Sequence, residues 1–225
     1  MKRFFLALAV ILAAAPALAD NTGLKRLTLR QDQLGWEAVG RVEIGSGGFC
    51  TGTLIAPDLV LTAAHCVYNP RNDAPFDPAD MVFRAGLRDG VEISAQDIAG
   101  AVAHPSYDPA APLSFETVRH DVALLQLASA IPAGHASPFR VDRLSRNTRE
   151  ISVVSVATGR SEALSWQRTC GVLGRQADLL AFDCDVYFGS SGAPVFARVD
   201  GRARIVSIIS AGSRTAEGTI SFGME

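Results

Sequence analysis

A serine set between glycines, a histidine and an aspartate stand in three separate segments of this 225-residue chain. Together they are the residue types that acyl transfer needs. The serine lies in the turn Phe188-Gly189-Ser190-Ser191-Gly192-Ala193-Pro194, ahead of the apolar run Val195-Phe196-Ala197. Glycines on both sides let the backbone bend sharply and let a substrate approach closely. A serine there offers its hydroxyl and its own amide N–H to a single carbonyl group, so nucleophile and oxyanion donor coincide. Gly-Ser turns are common, and the turn alone carries little weight. The weight comes from Leu61-Thr62-Ala63-Ala64-His65-Cys66, which supplies a base, and from Arg119-His120-Asp121, which supplies a carboxylate at the start of the apolar run Val122–Leu127. Imidazole titrates near neutrality, so it can take a proton and return it. Without His65 and Ser191, Asp121 would read simply as a cap on the turn before a buried strand.

These residues need elements to carry them. Trp36–Gly45 alternates as a strand, Ser46-Gly47-Gly48 turns, and Phe49–Ile55 is a second strand. Ala56-Pro57-Asp58 then turns the chain into Leu59–Thr62, which leads to His65. Tyr68–Asp80 is a surface loop rich in Pro, Asn and Asp. Met81–Arg84 and Val91–Ala103 read as strands, and His104-Pro105-Ser106-Tyr107 opens another loop. His104 reads as a structural or surface residue. His120 reads as a bystander, because an extended chain turns it away from Asp121. Ile131–Arg149 is a connector, followed by strands at Ile151–Thr158, Trp166–Leu173, Leu179–Asp183, Val195–Val199, Ala203–Ser210 and Thr219–Phe222. Short strands, frequent turns and little helical periodicity make the chain all-β.

The chain is 48% apolar, enough for a well-buried core. Lys2-Arg3, the apolar run Phe4–Ala15 and Ala17-Leu18-Ala19 form a signal peptide over residues 1–19, with the mature chain beginning at Asp20. The run is short and Pro16 interrupts it, so it reads as a leader rather than a stable membrane anchor. Removing Lys2 and Arg3 leaves 19 basic against 23 acidic residues, which excludes a basic nucleic-acid footprint. Residues 20–34 are polar and carry Lys25-Arg26 and Arg30. They form either a short pro-segment trimmed there or an N-terminal arm lying on the domain. Cys50, Cys66, Cys170 and Cys184 are an even number in an exported chain, which favours disulfides in any of three pairings. A zinc site is the rival use of Cys and His, but no C-x-x-C spacing exists, and we expect no metal and no organic cofactor.

The segments TAAHC, DVALLQL and GSSGAP, in the order His, Asp, Ser, resemble the three signature segments of trypsin-like (chymotrypsin-fold) serine peptidases from about Trp36 to Phe222. The resemblance implies two six-stranded antiparallel β-barrels with the active site between them, barrel 1 over about 35–130 and barrel 2 over about 145–225 of a domain spanning 35–225. It implies His65, Asp121 and Ser191 as the triad and the amides of Gly189 and Ser191 as the oxyanion hole. It supports Cys50–Cys66 as one disulfide, tethering the turn of the histidine, and leaves Cys170–Cys184 as the other. Closing loops of this length is worth roughly 3 kcal/mol each. Aligning Gly192 and Pro194 with the family's Gly-Asp-Ser-Gly-Gly-Pro makes Ser191 the nucleophile and not Ser190.

Ser190 then stands where that family has an aspartate, which in animal trypsins receives the freed N-terminal amine. A neutral serine cannot form that pair. Ser190, Ala193 and the short Cys184–Ser191 spacing are similar to the bacterial branch related to glutamyl endopeptidases. Ile209 takes the place of the histidine typical of those enzymes, which counts against glutamate preference. Asp185 has the offset of the trypsin pocket aspartate, which would favour Arg or Lys; a turn aspartate after a disulfide is the other reading. Ser210 and Gly212 match positions that bind substrate backbone. The expectation is thus a secreted or periplasmic, monomeric serine endopeptidase acting on protein or peptide substrates. The alternative is a catalytically silent binding module on a peptidase fold. An α/β-hydrolase is excluded by the residue order and by Ala193.

Overall fold

The structure is a computed structural model that describes residues 23–45, 48–215 and 218–225. The expected signal peptide and the Ser46-Gly47 part of the first turn lie outside the described residues.

Leu24–Arg26 (β1) and a four-residue helix, Arg30–Gln33 (α1), come first. Six strands then close a barrel: Val39–Ile44 (β2), Gly48–Ala56 (β3), Leu59–Thr62 (β4), Met81–Ala85 (β5), Ser94–Ala103 (β6) and Ala123–Leu127 (β7), in the order β2-β3-β4-β7-β6-β5. Alternation explains the closure. Val42, Leu54, Val60, Phe83 and Leu125 are fully enclosed; on β2, β5 and β7 the residues on either side of them are more exposed, while β3 and β4 are buried nearly throughout. A short helix, Phe115–Arg119 (α2), lies just before β7, with Ser114 Oγ capping Thr117 N at 3.1 Å. His120 is therefore the C-cap of a helix and not part of an extended chain.

The second half is a curled sheet built from Glu150–Ala157 (β8), Arg160–Gln176 (β9), Leu179–Phe182 (β10), Pro194–Val199 (β11), Arg202–Ile208 (β12), Ala211–Thr215 (β13) and Gly218–Met224 (β14). Their order is β12-β11-β8-β9-β10-β14-β13, and β1 pairs with β9 off this path. Six strands were expected here and seven are present among the described residues, with β13 the addition. Ala211-Gly212-Ser213 carries no β-branched or aromatic residue, so its strand character is invisible to propensity. β9 is 17 residues long and, with register shifts along its pairings, serves both β8 and β10. This is the two-barrel architecture expected from the signature segments.

The larger of two core clusters runs through both halves, with Val154, Val156, Leu164, Phe196 and Ile208 joining the interior of the first barrel; a second cluster, including Ile151, Phe182 and Val195, lies within the second half. At the seam, Trp36 meets Trp166 and Phe196 at 5.0 Å each, and Phe139 from the connector meets Phe196 at 4.6 Å. The N-terminal segment is fastened as well. Leu27 is fully buried and donates its N–H to Leu164 O at 2.8 Å, Lys25 pairs with Asp32, and Arg26 pairs with Asp89.

Candidate active site

His65 sits on a single 3-10 turn, Ala64–Val67, directly after β4. The disulfide Cys50–Cys66 ties that turn to β3, and Cys170–Cys184 closes the second pair. Cys50, His65 and Cys66 bring their ligand atoms within 4.8 Å of one another. Both sulfurs are joined in the disulfide, so they offer no thiolate to a metal.

Asp121 follows α2 and is 3% exposed. Its Oδ1 accepts the backbone N–H of His65 at 2.8 Å, and its Oδ2 lies 2.7 Å from His65 Nδ1. An ionised carboxylate only accepts, so this pair puts the proton on Nδ1 and leaves Nε2 as an acceptor. Ser210 Oγ donates to the same Oδ2 at 2.5 Å. Ser210, expected against substrate backbone, thus turns its hydroxyl to the carboxylate while still lining the cleft. Tyr107 lines the cleft too; burial first and then the charge of Asp121 push its phenol pKa upward and keep it neutral.

The cleft has a volume of about 610 Å³ and lies between the two halves. His65, Tyr107 and Asp121 line it from the first, and Ser191, Ser210, Ala211 and Gly212 from the second. His65 is 37% exposed at its side chain, and Ser191 is half-buried. Ser190 differs: it is 1% exposed, and its hydroxyl reaches Val156 O at 3.3 Å and Ser155 Oγ at 3.4 Å in the interior.

The turn that carries these serines is held carbonyl by carbonyl. Phe188 O accepts from Thr158 N at 2.8 Å and Ser190 O from Ala193 N at 2.9 Å. Gly189 O accepts from Thr51 Oγ1, and Ser191 O from Thr51 N, each at 2.8 Å. A trans peptide is planar with C=O and N–H opposed. Pinning Phe188 O and Ser190 O therefore aims the Gly189 and Ser191 N–H groups the other way, and among the described residues neither has a protein acceptor. Gly189 (φ +98°) and Gly192 (φ +76°) hold left-handed conformations. A Cβ on Gly189 would strike the Phe49 ring, and one on Gly192 would strike Thr62 Oγ1 and Thr51 O. Only glycine fits either place.

Of the sequence-selected catalytic, oxyanion and substrate-binding residues, Gly189 and Asp185 are not among those lining the cleft; Gly189 lies in the turn beside it, and Asp185 faces elsewhere. Its N–H donates to Gln167 Oε1 at 2.7 Å, and its charge acts on Arg160. Its neighbour Val186 lines the cleft in its stead, with Ile209 and Ala211. A Cβ on Gly212 would lie 2.7 Å from Val186 Cγ2, so Val186 and Gly212 stand close together. Nothing in the sequence marks Thr51, Thr158 or Val186, because each acts through a partner distant along the chain.

The match to known proteins is decided by the family model for the trypsin-like peptidase domain, which covers residues 50–204. The chain belongs to the trypsin-like peptidase family. It is 30% identical to Serine protease 56 of Mus musculus over 112 residues, which is 49% of this chain and 17% of that protein. It is 35% identical to the Vitellin-degrading protease of Bombyx mori over 89 residues, 38% of this chain and 28% of that one. It is 29% identical to a trypsin of Phaedon cochleariae over 136 residues, 57% and 48% of the two chains. The matched segments thus span less than half of each of these relatives. A solved Glu endopeptidase in complex with MPD superposes with a TM-score of 0.72 over 89% of this chain and 90% of that one, at 19% identity, a likeness of fold.

Proposed function

We propose that this peptidase-family chain is an active, exported serine endopeptidase. The observation that carries this is the pairing of buried Asp121 with His65 in the same cleft as Ser191, together with two N–H groups of the serine turn that have no protein acceptor among the described residues. Ser191 Oγ attacks the scissile carbonyl carbon as its proton passes to His65 Nε2. Asp121 stabilises the imidazolium that forms, and Ser210 shares the carboxylate's charge. The oxyanion accepts hydrogen bonds from Gly189 N–H and Ser191 N–H. Collapse of the tetrahedral species breaks the C–N bond, and the amine leaves with the proton from His65. Water, giving its proton to His65, then attacks the Ser191 ester and releases the new carboxyl terminus, returning the hydroxyl to Ser191.

The cleft is matched to an uncharged side chain. Among the described residues its one carboxylate is Asp121, which His65 and Ser210 already engage. Val186, Ile209 and Ala211 supply apolar walls, so small and medium apolar side chains fit at the cleaved position. Export is supported by the leader-like residues 1–19 and by two disulfides, which persist in oxidising compartments.

A fluorophosphonate probe tests the reading. Labelling and peptide cleavage by the wild type, both lost in Ser191→Ala, are expected. A folded, disulfide-intact protein that never reacts would make the chain a binding module on a peptidase fold.

A further inference from the structure

The triad accounts for nucleophile and base, and leaves a part-buried arginine behind the catalytic turn with no role. Arg160 opens β9 directly after the two-residue hairpin loop Thr158-Gly159, where Ala157 pairs with Arg160. Its guanidinium points inward. Nη1 donates to Ser155 O at 2.9 Å, and Nη2 donates to Ser155 Oγ at 3.1 Å and to Ser190 Oγ at 3.4 Å. Burial pushes its pKa down to about 10 against the attraction of Asp185, so it is a cation at neutral pH. Asp185 sits six residues before Ser191, and Ser190 sits inside the turn itself. The guanidinium therefore meets the turn at Ser190 and feels the charge of Asp185 just before it.

The rest of the hairpin grips the same turn. Thr158 N–H holds Phe188 O, and Val156 O receives the Ser190 hydroxyl. Ser190 Oγ also accepts the Tyr187 N–H at 3.3 Å, so an inward Ser190 ties the start of the turn to its centre. If Ser190 swung outward, Arg160 would lose that acceptor and the 187–191 segment its internal anchor. Meanwhile the N-terminal arm is engaged elsewhere, paired with β9 at Ser165–Gln167.

We propose that Arg160 is a positioning residue: from the β8–β9 hairpin it holds Ser190 inward, keeps the Gly189 and Ser191 amides in their acceptor-free arrangement, and so assembles the oxyanion site within the uncut chain, without a new N-terminus. The proposal rests on the peptidase reading above.

The test uses the exported chain with an N-terminal affinity tag left in place and verified intact by mass spectrometry. Wild type, Arg160→Ala, Arg160→Lys and Ser191→Ala are compared. Reactive sites are counted with a fluorophosphonate, and kcat and KM per reactive site are measured on a peptide thioester with an apolar residue at the cleaved position. Arg160→Ala is expected to lower kcat per site on the order of 10- to 100-fold while KM changes by less than about threefold. Arg160→Lys should recover most of that at neutral pH, then lose it at a lower alkaline pH than wild type, because the same burial acts on an ammonium that starts below a guanidinium. A merely structural arginine would reduce the number of reactive sites and leave kcat per site unchanged, which would overturn the proposal. Should Arg160→Ala fail to fold, the Lys variant decides, and recovery with an alkaline limb no lower than that of wild type overturns it. A tagged wild type that reacts only after N-terminal trimming also overturns it and leaves the peptidase reading standing. A wild type unreactive in every form removes that reading instead.

Discussion

Thr51→Val isolates the latch between the two halves. Thr51 is fully buried on β3, and its Oγ1 donates to Gly189 O at 2.8 Å and accepts from Val156 N at 3.1 Å. Valine keeps the side-chain shape and every backbone bond and removes only the hydroxyl. Val156 is fully buried, so its N–H is left unpaired at about 1–3 kcal/mol; Gly189 O is half-buried and adds a smaller share, giving about 2–4 kcal/mol in all. That is a large part of the ~5–15 kcal/mol by which domains are stable. With a urea slope of about 2 kcal/mol per molar, the unfolding midpoint of the disulfide-intact protein should fall by about 1–2 M. Tryptophan fluorescence against urea reads it directly. A midpoint moved by less than about 0.3 M would refute the argument that these two groups have no other partner.

Three further outcomes are expected. Asp121→Asn should lower kcat on the order of 10⁴-fold with the fold intact, because an amide fixes the wrong His65 tautomer; peptide turnover beside circular dichroism checks both. In a mixed peptide library, cuts should follow small and medium apolar residues and not Arg or Lys, and Val186→Gly should shift the cut sites toward larger side chains, read by mass spectrometry. Replacing Cys50 and Cys66 with serine should cost roughly 3 kcal/mol of stability, measured by urea unfolding, and should slow fluorophosphonate labelling because the His65 turn loses its tether.

Much of the architecture was legible because it is written in short-range pattern. The alternation of β2, the Ala56-Pro57-Asp58 turn and the run into His65 are local signals, whereas the cysteine pairing, open among three by sequence, followed from the family resemblance. The elements that escaped were those without one. α2 is barely more than a turn, too short for periodicity, and β13 opens with three small residues, Ala211-Gly212-Ser213. Asp185 shows the limit at the site. Its offset from Ser191 is visible in the sequence, but which wall it faces depends on Gln167 and Arg160, set by how the long strand β9 bends. Thr158 and Arg160 belong to an ordinary Thr-Gly-Arg hairpin whose neighbours in space lie some thirty residues on.

The chain has two tryptophans, and both stand at the seam of the halves, their rings 5.0 Å apart. Indoles that close share their excited states. Near-ultraviolet dichroism and emission therefore report one event, the parting of the two barrels, with no background from other tryptophans. An unfolding route in which the halves separate before either melts would appear as an optical change that precedes loss of backbone signal. One that keeps the shared core until the end would make the two signals coincide. The molecule carries its own built-in gauge of whether its catalytic cleft dissolves by hinging open or by melting as a whole.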